Sequence, residues 1–163
     1  MATVAQRTEL AALMDYLVHH EPQVHYAQVR PMVTRKIANL VQLHTAVTSR
    51  AGLTMDCSES VTLLCKLTGL SDPNGLHYDG AGNTETMLDH LTHYYAATSA
   101  GVGALVVFGV GHLATEHVCM IRRTGSDPLL FSHGQERGPF FIPLSVEKRY
   151  HPSPYTFLSI AHL

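Results

Sequence analysis

Near Gly103 the texture of this chain changes. Before that point apolar residues recur at helical spacing; after it they come in short runs cut by turn residues. Leu10, Leu13, Met14, Leu17 and Val18 mark a helix from Thr3 to His20, which Pro22 stops. Ile37, Leu40, Val41, His44 and Val47 mark a second helix from Val33 to Val47, with Gln23 to Tyr26 as a short extended piece between the two. In the third helix Asp56 is the N-cap, Glu59 its capping-box partner, and Gly69-Leu70 a Schellman-type stop. Ser71 to Asn83 reads as loop, and Thr84 to Tyr95 as a fourth helix. Beyond Gly103, the runs Ala104 to Phe108, Glu116 to Arg122, Pro128 to Ser132, Phe140 to Leu144 and Tyr155 to Ile160 are the expected strands. Helices first and strands later predict an α+β fold, with an antiparallel sheet covered by helices on one face.

The 163 residues fit a single domain: an N-terminal helix in 1–22, a helical half in 23–102 and a β-sheet half in 103–163. Charged residues make up only 15% of the chain and hydrophobic ones 45%, which argues against disorder. Eleven Lys and Arg against thirteen Asp and Glu leave a formal charge of −2, so no nucleic-acid partner is expected. No apolar window reaches the roughly 20 residues of a membrane span, and the opening MATVAQRTEL lacks the pattern of a signal peptide. Three cysteines are an odd number and suggest free thiols. The unusual count is twelve histidines. Most are expected to be scattered surface groups; the exceptions are those placed for chemistry.

Cys57 follows the expected N-cap, in the first turn of a helix, where unpaired N–H groups and the positive end of the helix dipole favour an anion. A thiol nucleophile needs a base, and the base an orienting group. His117 stands in Glu116-His117-Val118-Cys119-Met120-Ile121, whose alternation puts His117 and Cys119 on one strand face. His133 ends the next strand, in Phe131-Ser132-His133-Gly134, and a neighbouring antiparallel strand brings it toward His117. A rival use of histidine is metal binding: Asp89, His90 and His93 follow helical spacing, with His77 and Asp79 in the preceding loop. Their spacing matches no Cys/His metal pattern, so neither metal nor other cofactor is expected.

These residues resemble a family. Asp56-Cys57-Ser58 is similar to the Asp-Cys-Ser signature of the NlpC family of cysteine peptidases, compact relatives of papain, in which the Cys begins a helix. His117 to Ile121 resembles the strand that carries the family's base, and Phe131-Ser132-His133 the strand that carries its orienting residue. Gly103 to Phe108 is similar to the family's strand between the Cys signature and the His strand, and the resemblance covers Gln23 to the C-terminus. It implies a papain-like NlpC-type fold, with Cys57 as nucleophile, His117 as base and His133 as orienter. It also implies an upstream Tyr that shares the oxyanion with the Cys57 N–H, for which Tyr26 is the candidate. Asp56, Ser58 and the turn residue His112 are further candidate cleft contacts. Two departures stand out: Glu59 replaces a small residue, and Ala104 an Asp. Cys119 stands where a tiny residue is usual and is expected to face the helix of Cys57.

The function implied is hydrolysis of an amide bond in a bacterial peptidoglycan stem peptide, by a phage lytic enzyme or a tail-associated virion enzyme partnered by tail proteins. The corresponding location is the phage tail, or the host cytoplasm before lysis. The alternative is an inactive, peptidase-like structural subunit of a phage tail, which Glu59 and Ala104 favour. If His117 is the base, its protonation lowers activity below about pH 6.

Overall fold

A computed structural model describes residues 2–91, 94–95, 99–109 and 116–160. Its architecture is α+β. Helix α1 (Val4–His19) opens with a capping box in which Thr3 and Gln6 satisfy each other's backbone N–H. It buries Leu10, Leu13, Met14 and Leu17. Strand β1 (Val24–Tyr26) pairs in parallel with β2 (Leu53–Met55), and α2 (Leu40–Thr48) crosses between them. The expected second helix thus starts late: Val33–Lys36 is a 3-10 turn, and Asn39 caps α2 by accepting from the Gln42 N–H.

Helix α3 (Cys57–Leu67) follows β2 directly. It stops as expected: Gly69 has φ +65°, the Leu70 N–H reaches the Cys65 carbonyl at 3.0 Å and the Gly69 N–H that of Lys66 at 3.3 Å. Helix α4 (Thr84–His90) is shorter than expected, and Tyr94–Tyr95 form strand β3 instead of its last turn.

The main sheet has six strands in the order β3, β8, β4, β5, β6, β7, each antiparallel to its neighbour. Strands β4 (Leu105–Phe108), β5 (His117–Arg123), β6 (Leu129–Ser132) and β7 (Phe140–Pro143) follow in sequence, and β8 (Tyr155–Leu158) returns to the other side of β4. Pro143, which has no N–H to donate, lies at the end of the edge strand.

Both faces of the sheet are covered. Leu105, Val107, Val118, Met120 and Phe131 pack with the residues of α1, α2 and α3, whereas Val106, Phe108, Cys119, Ile121 and Leu130 form a second core with Leu144. That second layer includes α5 (Leu144–Tyr150), in a segment the sequence pattern gave partly to a strand. Seven residues span barely two turns and carry too little periodicity to read. Asp127, in the turn before β6, fixes the start of α5 by accepting from the Ser145 N–H at 2.8 Å and its hydroxyl at 2.6 Å. Among the described residues no helix is long and apolar enough to cross a membrane.

Candidate functional site

Parallel pairing of β1 with β2 sets Tyr26 beside Met55, two residues before Cys57. The 31 residues separating Tyr26 from Cys57 in sequence are thus taken up by α2 and its connections. The Tyr26 phenol lies close enough that, after burial, the charge of Cys57 is the next cause raising its pKa. Its hydroxyl accepts from Gln28 Nε2 at 3.4 Å.

Cys57 is buried at the first position of α3. Asp56, in extended conformation, caps that helix by accepting from the Glu59 N–H at 2.8 Å. The same carboxylate accepts from the Ser58 hydroxyl at 2.8 Å and pairs with Arg30 Nη2 at 2.9 Å. Arg30 also donates to Ser58 Oγ at 2.9 Å and to the Gly82 carbonyl at 2.7 Å, joining the β1–α2 connection to the loop before α4. Arg30, Asp56, Cys57, Ser58, Asn83 and Glu116 help to line a polar cleft of about 460 Å³. Asp56 and Ser58 therefore lie at the cleft, with their polar atoms committed to the cap and to Arg30. Glu59 does not complete a capping box. Its carboxylate turns inward and accepts from the Thr34 N–H at 2.9 Å and the Thr34 hydroxyl at 3.0 Å, away from the cleft.

His117 begins β5 and is buried. Its Nε2 lies 2.9 Å from Ser132 Oγ and 3.1 Å from Glu147 Oε1. Ser132 also donates to Glu147 Oε1 at 2.7 Å, and the Cys119 thiol donates to the same oxygen at 3.4 Å. Burial opposes protonation of His117, but Cys119, Cys57 and Glu147 outweigh it and lift its pKa well above 6.5. Cys57 is among the groups that raise it, which sets the thiol in the neighbourhood of the imidazole at the start of β5. Burial pushes Cys119 up to about 11. Near neutral pH it is an uncharged thiol, which leaves the Glu147 carboxylate as the anion that holds the imidazolium.

His133 lies elsewhere. Its Nε2 is 2.9 Å from the Met55 carbonyl, and its ring meets Tyr26 edge-on with centroids 5.7 Å apart. Burial lowers its pKa. The hydrogen bonds expected between His133 and His117 are made to His117 by Glu147 and Ser132. Register explains this. Met120 faces Phe131 across β5 and β6; continued outward, that pairing sets Ser132 opposite Cys119 and His133 opposite Val118. Cross-strand partners share a face, so Ser132 joins His117 while His133 turns toward β2. Cys119 likewise packs with the layer of α5 and not with α3.

The sequence reading missed Glu147, Ser132, Arg30 and His151. His151 stacks on His117, with centroids 4.2 Å apart and planes 11° from parallel. Ser132 carried a signal in strand alternation; Glu147, in a two-turn helix remote from the motifs, carried none. His112 and His93 lie outside the described residues. His77 and His90 help to line a cavity beside Asp72, but neither joins the candidate metal cluster of the described residues. Compared with models of known protein families and with curated proteins, the chain matches none.

Proposed function

We propose that the chain is a thiol amidase in which Cys57 attacks an amide carbonyl. The observation that carries this reading is the shared position of Cys57, at a helix start on a polar cleft, and of His117, backed by a buried carboxylate. In the proposed reaction the Cys57 proton passes to His117, and the thiolate adds to the carbonyl carbon. The Cys57 N–H and the Tyr26 hydroxyl face the oxyanion. His117 then returns the proton to the leaving amine, and water releases the acyl group from sulfur by the same route. Glu147, in the place expected of His133, fixes the imidazole and balances its charge.

The resemblance of Asp56-Cys57-Ser58 and of the His117 strand to NlpC peptidases points to a peptidoglycan stem peptide as substrate and to a phage lytic or tail enzyme, on an NlpC-type fold. Of the two features favouring an inactive subunit, Glu59 loses its force, because its carboxylate is spent on Thr34 and does not reach the cleft.

Zymography on purified peptidoglycan tests the reading. Clearing by the wild type and none by Cys57→Ala is expected; no clearing by the wild type on walls of several chemotypes rejects it.

A further inference from the structure

Four groups that could ligate a metal converge behind the cleft: His117 on β5, Glu136 in the β6–β7 connection, Glu147 in α5, and His151 at the end of α5. One donor atom from each lies within 4.8 Å of all the others. His117 Nε2 and Glu147 Oε1 are 3.1 Å apart, and His151 Nε2 and Glu136 Oε1 3.6 Å. Tetrahedral zinc, with bonds of roughly 2.0–2.1 Å, sets its donors about 3.3 Å apart. Those two separations already lie near that value, and the others have to close from at most 4.8 Å.

Two observations point to a missing partner. Glu147 is fully buried, yet its Oε2 has no hydrogen-bond partner, and the buried Nε2 of His151 has only the long 3.6 Å contact with Glu136. Buried polar atoms are seldom left unpaired. The donors also suit a borderline-soft cation: two imidazoles and two carboxylates, whose charges a divalent ion neutralises. Because the two rings stack nearly parallel, and an imidazole binds metal in its own plane, His151 has to turn. It is the more exposed of the two rings, with a side chain 16% accessible against 2% for His117.

We propose that His117, Glu136, Glu147 and His151 bind a divalent transition cation of the zinc class, and that occupancy switches off the thiol site. An imidazole whose Nε2 lone pair is given to metal keeps its proton on Nδ1. It has no lone pair left to take the proton of Cys57. The binding stands on geometry alone; the inhibition rests on the amidase reading.

Isothermal titration of the metal-stripped protein with zinc chloride tests the site, with thermal melting alongside. One equivalent is expected to bind and raise the Tm, equally in wild type and Cys57→Ala. His151→Ala and Glu136→Gln, at the two more accessible donors, are each expected to weaken binding at least tenfold while the metal-free proteins melt cooperatively. Absence of binding up to about 1 mM zinc, or binding that needs Cys57 but neither His151 nor Glu136, overturns the proposal. On peptidoglycan, zinc is expected to stop wild-type clearing and EDTA to restore it, with Glu136→Gln tenfold less sensitive. Zinc binding together with no clearing even by the metal-free protein in EDTA rejects the amidase reading alone; Cys57-dependent clearing without zinc binding rejects the metal site alone.

Discussion

Glu147 shows how one buried side chain sets the chemistry of another. With its carboxylate 3.1 Å from His117 Nε2, the imidazolium is favoured and the His117 pKa lies above its ordinary value. In the proposed amidase, the reactive thiol–imidazole pair holds one proton and the fully protonated pair is inert. Activity therefore sets in as pH rises through the raised value, higher than the limb near pH 6 expected from an ordinary histidine. In Glu147→Gln that acid limb moves to lower pH and the maximal rate falls, measured as a pH profile of peptidoglycan clearing. The stability signs agree. A raised His117 pKa contributes stability that is full below about 6.5 and lost as pH rises through the folded value. Burial opposes ionisation of Glu147, but its bonds to His117 and Ser132 lower its pKa below 4.5, so its contribution is present above that value and lost in acid. The difference in unfolding free energy between wild type and Glu147→Gln, measured by chemical denaturation, is expected to be widest between pH 4.5 and 6.5, on the order of 3 kcal/mol, and to narrow at alkaline pH. His133 acts oppositely: burial lowers its pKa, so its contribution is present above pH 6.5 and lost in acid.

At the level of elements, the start of α3 and the β1–β2 pair do most to assemble the site. Asp56 is N-cap, partner of Arg30 and acceptor from Ser58 at once. Asp56→Ala is expected to cost about 1–2 kcal/mol, the range of a lost N-cap, because Arg30 is a third exposed and its charge remains hydrated. Thermal melting should show a drop of roughly 2–8 °C; an unchanged Tm removes Asp56 from the frame of the site. Gly52 serves the same pair. Its φ is +67°, and a Cβ there would run into the Gln23 carbonyl and the His25 ring. Its turn was not legible as the start of a strand, because Leu53–Met55 is too short to alternate visibly. The cap, the Cys57 helix and the Schellman stop were legible because they depend on neighbours in sequence. The inward turn of Glu59 was not, since Thr34 stands 25 residues away.

Across the whole molecule, α1 is held to the rest of the protein by burial more than by charge. Arg122 donates two hydrogen bonds to Asp15, at 3.0 and 2.8 Å, but Asp15 is half exposed. Asp15→Ala is expected to cost less than about 1 kcal/mol. Leu17, fully buried, is expected to cost about 2–5 kcal/mol as Leu17→Ala. Chemical denaturation of both variants tests this ordering; a larger loss for Asp15→Ala reverses it. The order of helices and strands fixed the α+β class before any contact was known, because periodicity is local. So did the helix-start thiol, since a cap and its first turn lie within four residues. Which groups surround that thiol was decided in three dimensions. Tyr26 arrives by parallel pairing across α2, Glu147 by a helix folded onto the second face of the sheet, and Ser132 in place of His133 by register. The local sequence carries the proposed nucleophile and its proposed base. The carboxylate that tunes them depends on a strand register in which a slip of one residue turns a side chain to the opposite face.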